Sequence, residues 1–134
     1  MTRFFAGLLV VGAGAVIVGC SSEATDPPAV CSSTDALQAS MSDLRDVQVV
    51  ENGTAALEDA VASVRSALQD VVDDATSQYA TQVDDLQASF DAVQAAAGSA
   101  VATPSAATLN AVTASVTAFT SEVSDFADDI ASTC

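Results

Sequence analysis

The sequence predicts an all-α protein: an antiparallel helical bundle of three helices, whose long central member becomes two if it breaks near residues 73–78. Two observations carry this prediction. Apolar residues recur at steps of three and four in three separate runs, which gathers them on one face of a helix. Turn residues, Asn52-Gly53 and then Gly98-Ser99, divide the runs from one another.

The first helix has Ser33 or Thr34 as its N-cap, with Asp35 in the first turn, where the helix dipole favours an anion. Leu37, Met41, Leu44 and Val47 then line one face. The β-branched residues Val47, Val49 and Val50 weaken its end. Asn52 and Gly53 tolerate a left-handed conformation and stop it. An NG pair also marks hairpins, but helical periods flank this one on both sides, so it reads as a helix–helix turn. Asn52-Gly53-Thr54 matches a glycosylation sequon as well; turn plus cap is the simpler reading.

Thr54 caps the second helix, with Glu58 and Asp59 near its start. Its stripe is Leu57, Val61, Val64, Leu68, Val71, Ala75, Tyr79, Val83, Leu86, Phe90, Val93 and Ala97. Both ends follow a heptad rhythm, while the middle steps by fours, a stutter that relaxes supercoiling. Thr76 and Ser77, poor formers of a helix interior, fall in that middle. The helix therefore either runs straight from 54 to 97 or bends near 73–78.

Thr103 caps the third helix, with Pro104 at its first position, where a missing N–H costs nothing. Leu109, Val112, Val116, Phe119, Val123, Phe126 and Ile130 form the cleanest heptad run in the chain. At about 1.5 Å per residue, folding the first helix back from its turn brings residue 31 beside roughly residue 74. The third helix returns about 45 Å, which brings residue 134 beside roughly residue 68. Their free ends thus meet near the stutter.

The N-terminus reads as a targeting segment. Arg3 precedes an uncharged apolar and glycine run over residues 4–18, too short to span a bilayer comfortably. It closes on Ile17-Val18-Gly19-Cys20: two branched apolar residues, a small one, then cysteine. This resembles the lipobox of bacterial lipoprotein signal peptides. The resemblance covers residues 1–20 and implies that residues 1–19 are removed and that Cys20 is lipidated. With many Ala, Val, Asp, Ser and Thr and no Lys, the rest of the chain resembles small Ala/Asp-rich helical lipoproteins of actinobacteria. Residues 20–30, polar and carrying Pro27-Pro28, form a tether, and residues 31–134 form the helical domain.

With Cys20 lipidated, Cys31 and Cys134 remain, an even pair in an oxidising compartment. A Cys31–Cys134 disulfide closes the bundle on this reading; the alternative is two free thiols. The core needs a staple, because Tyr79, Phe90, Phe119 and Phe126 are its only aromatics. In the chain-entropy model, closing a loop of this size stabilises by up to about 4–5 kcal/mol.

All 18 acidic residues follow Cys20, against Arg45 and Arg65 alone, and the whole chain carries −15. Such a surface repels nucleic acid and anionic headgroups. The pairs Glu58-Asp59, Asp73-Asp74, Asp84-Asp85 and Asp128-Asp129 are the only candidates for a cation. Adjacent helical positions diverge by about 100°, so a pair is no chelate by itself, and no EF-hand loop is present. The chain has no histidine and no lysine, which removes the commonest general base and Schiff-base chemistry. Neither a catalytic constellation nor a cofactor or metal site is expected.

The expectation is a non-enzymatic lipoprotein, held to the extracytoplasmic face of the cell membrane by lipid on Cys20. Its bundle would act as an interaction module for an envelope protein or a second copy. The alternatives are a structural spacer with no specific partner, and a carrier of a small apolar ligand.

Overall fold

The computed structural model describes residues 28–47 and 49–134. The signal peptide expected over 1–19, the lipidation expected at Cys20 and the expected tether up to residue 27 lie outside the described residues. Four α-helices and one 3-10 turn make up the fold, with no strand among the described residues: α1 (Ala29–Asp46), α2 (Val49–Asp74), the 3-10 turn (Ser77–Tyr79), α3 (Ala80–Ala102) and α4 (Ala106–Ile130).

α1 begins a turn earlier than the sequence predicts. Pro28 is its N-cap, without a side-chain hydrogen bond. Ser33 and Thr34 are therefore not caps. They lie inside the helix and are buried, and their hydroxyls donate back to the carbonyls of Ala29 and Val30 at 3.0 and 2.7 Å. A hydroxyl serves either purpose, capping an orphan N–H or satisfying a carbonyl one turn back. Burying Val30 and Cys31 against the core selects the second. The helical domain thus takes in residues 29 and 30, which the sequence assigns to the tether. At the other end Val47 is already extended.

Within α2, Gly53 breaks the helix with φ 77° and ψ 176°, a combination open essentially to glycine alone. The first helix already ends at Asp46, so Asn52-Gly53 does not stop it as expected; the break at Gly53 instead precedes the continuous part of α2, which runs from 54 to 74. The long central helix then ends at Asp74, and the 3-10 turn separates it from α3. Of the two outcomes the sequence allows, the broken helix is the one adopted.

α3 does not stop at Gly98. It continues to Ala102, which buries Ala100, and Thr103 becomes its C-cap. Pro104 disfavours helical geometry in the residue before it and so fixes that end. The cap of α4 shifts accordingly from Thr103 to Ser105. Ser105 Oγ accepts from the Thr108 N–H at 3.1 Å, and Thr108 Oγ1 accepts from the Ser105 N–H at 3.0 Å, a reciprocal capping box.

α1 packs along α2 and α3 along α4, the two more extensive contacts; α2 meets α3 and α1 meets α4. One continuous core fills the interior. Nearly every residue of the predicted stripes is buried in it, with Val47, Ala75 and Leu109 half-buried at the margins. Phe90 and Phe119 pack at 5.5 Å between ring centres at the α3–α4 contact. The stripes are thus internal packing rather than a free face.

Candidate functional site

The most elaborated part of the molecule is the end where the start of α1, the end of α2, the 3-10 turn and the end of α4 converge. Cys31 and Cys134 are joined there by a disulfide, with Cα atoms 5.9 Å apart. Cys31 is buried and Cys134 exposed. Beside it the Ser33 hydroxyl bonds the Asp74 carboxylate, tying the first turns of α1 to the last turn of α2. Tyr79 and Thr133 share a hydrogen bond of 2.8 Å between their hydroxyls. The Tyr79 ring stands edge-on to Phe126, 5.8 Å between centres and 81° between planes. This aromatic pair fills the core while the hydroxyl reaches a polar partner, the usual division of labour in a buried tyrosine.

The level of Cys31 agrees with the length argument, since Ser33 meets Asp74. The level of Cys134 does not: its neighbour Thr133 meets Tyr79 rather than a residue near 68. The turn before α4 comes later than Gly98, so α4 starts later and ends higher along α3. The sequence assigns Tyr79 to the apolar stripe and misses its polar partner. The available signal was a tyrosine, the only one in the chain, placed at the stutter.

The four acidic pairs lie on solvent-facing positions, Glu58-Asp59 and Asp73-Asp74 well apart along α2 and one pair each on α3 and α4. Asp73 accepts from Gln69 Nε2 at 3.1 Å and Asp74 bonds Ser33. Among the described residues, no three metal-ligating side chains come together. The two arginines of the domain lie far apart in sequence and role. Arg65 donates to the Gln94 carbonyl across the α2–α3 contact, so Gln94 is engaged rather than free. Arg45 sits in the last turn of α1, where a cation suits the helix dipole.

Away from the disulfide, an open groove of about 600 Å³ runs between α1, α2 and α4. Leu44, Val47, Leu57, Leu109, Val112 and Val116 supply its apolar lining, with Arg45 and Glu51 at its edge. Its volume falls in the range of small-molecule sites, about 300–1,000 Å³. No described helix is long and apolar enough to cross a membrane.

These features define a class: an acidic, disulfide-closed domain of four helices. No protein-family model, no curated protein and no solved structure matches the chain.

Proposed function

We propose that this chain is a lipid-anchored protein of the bacterial cell envelope, whose bundle of up-down-up-down antiparallel helices serves as a non-enzymatic interaction module. The observation that carries the reading is Ile17-Val18-Gly19-Cys20 at the close of an apolar N-terminal run. On this reading residues 1–19 are removed, Cys20 is acylated, and the domain lies outside the cytoplasmic membrane. A single acyl chain holds weakly, so stable anchoring needs at least two. The nine residues from Cys20 to the start of α1 reach at most roughly 30 Å. The disulfide end then faces the membrane, and the turns at 47–53 and 103–105 face away. Eighteen carboxylates repel the anionic headgroups below and help to hold the bundle upright.

Two measurements test the proposal. Metabolic labelling with an alkyne fatty acid marks the wild-type chain and leaves Cys20→Ser unmarked; equal labelling of both removes the anchor. Photo-crosslinking in native membranes, from a reactive side chain at exposed Gln69 or Ala118, captures one reproducible envelope protein. Capture of nothing but lipid favours the spacer. The groove beside Leu44 and Val112 supports the carrier reading instead, and native mass spectrometry of the extracted protein separates it by the mass of a retained apolar molecule.

A further inference from the structure

Two of the three connections between helices are written in local sequence: Gly53 takes a conformation only glycine accepts, and Ser105 builds a capping box. The third, between α2 and α3, is not. α2 ends on Asp73-Asp74 with no basic residue in its last turn, so two negative charges lie at the negative end of the helix dipole. Thr76 caps the 3-10 turn, and Tyr79 caps α3, neither side chain making a capping hydrogen bond. Residues 75–78 contain neither glycine nor proline. The apolar register also passes straight through: Leu68, Val71, Ala75, Tyr79 and Val83 step by 3, 4, 4 and 4, one face of an unbroken helix.

A straight helix across this point relieves the misplaced charges and removes two poorly capped ends. What it loses is the packing of the α1–α2 hairpin on the α3–α4 hairpin of the same chain. The local side-chain ties survive the change, because Ser33–Asp74 lies within the first hairpin and Phe90–Phe119 and Tyr79–Phe126 within the second. The contacts between hairpins, including Arg65–Gln94 and the disulfide, can be remade by an identical chain.

We propose that residues 75–79 are a hinge through which the reduced chain exchanges hairpins with a second copy of itself. In the exchanged dimer α2 and α3 fuse into one helix, and the α1–α2 hairpin of each copy packs on the α3–α4 hairpin of the other. Exchange of identical elements is a low-cost route to a dimer, since it needs no new interface. Each Cys31 then meets the Cys134 of the other copy. Closing each bond releases two protons and two electrons, which reduce one glutathione disulfide to two thiols.

The test uses the full chain with Cys20→Ser, which leaves Cys31 and Cys134 as its only thiols, held in mild detergent. Equal amounts of unlabelled and heavy-nitrogen protein are mixed in denaturant, refolded reduced at high concentration, and oxidised with glutathione disulfide. The tryptic peptides joined through Cys31–Cys134 are then weighed. Exchange yields a mixed light–heavy species that increases with protein concentration. Ser77→Pro lowers it by at least a hundredfold, about the effect of one proline inside a helix, since each of the two fused helices would carry one. That proline suits the hinged monomer, since Ser77 opens the 3-10 turn and Thr76 before it is extended, ψ 165°. The double variant Thr76→Ala, Ser77→Ala raises the mixed species and decides the matter should the proline variant fail to fold. Absence of mixed peptides at every concentration overturns the proposal. So does a mixed fraction that Ser77→Pro leaves unchanged, or an alanine variant that does not raise it.

Discussion

Single atoms decide the behaviour of the two described glycines in opposite directions. Gly53 has φ 77° with open space where a Cβ would go. Gly53→Ala therefore meets no clash, and its cost is backbone strain alone, about 1–3 kcal/mol in urea unfolding. Gly98 lies on the exposed side of α3, also with open space around a Cβ. There Gly98→Ala stabilises, by about 0.5–1 kcal/mol, because alanine loses less entropy in a helix. Removal of the Tyr79 hydroxyl leaves the ring on Phe126 and breaks one hydrogen bond to Thr133. Tyr79→Phe should cost about 0.5–1.5 kcal/mol by the same measurement.

At the scale of the helix, Phe119 is fully buried at the α3–α4 contact. Phe119→Ala should cost about 3–5 kcal/mol, and Phe119→Asp should abolish the cooperative unfolding transition. Ser105→Ala removes the capping box and should cost about 0.5–2 kcal/mol. The periodicity revealed which faces are buried, because one step of three or four is a short-range property of the chain. Boundaries were less legible wherever two local solutions compete. Ser33 and Thr34 satisfy a helix start or a helix interior equally well, and burial of Val30 chooses between them. Thr103 and Ser105 are both able caps, and the choice depends on how far α3 runs beyond Gly98. Ala100, buried in that extra turn, belongs to no stripe of large residues and gave no signal. The break after Asp74 was visible only as a stutter and as Thr76 and Ser77, poor formers of a helix interior, since its stabilising partners, Phe126 and Thr133, lie some fifty residues away.

The molecule as a whole is strongly acidic. Repulsion within a chain of net charge −15 opposes compaction, and salt screens it over about 10 Å at 0.1 M. The melting temperature should therefore rise between low and moderate sodium chloride, followed by circular dichroism. Cys134→Ser should lower stability by as much as about 4–5 kcal/mol, because 103 residues separate the joined cysteines. The pairing itself was legible from cysteine count, while the helix lengths placed Cys31 at its true level and Cys134 away from it; the hydrogen bonds around the bridge were not legible, as they depend on where α4 finally ends. The 5.9 Å between the two cysteine Cα atoms has another consequence. The beginning and end of the folded domain are close enough for a peptide of a few residues to replace the sulfur bridge. The chain can then be cut anew at the Gly53 turn or at Pro104, both exposed, and read in a different order. A circularly permuted domain of this kind should fold to the same helical content without any cysteine at all.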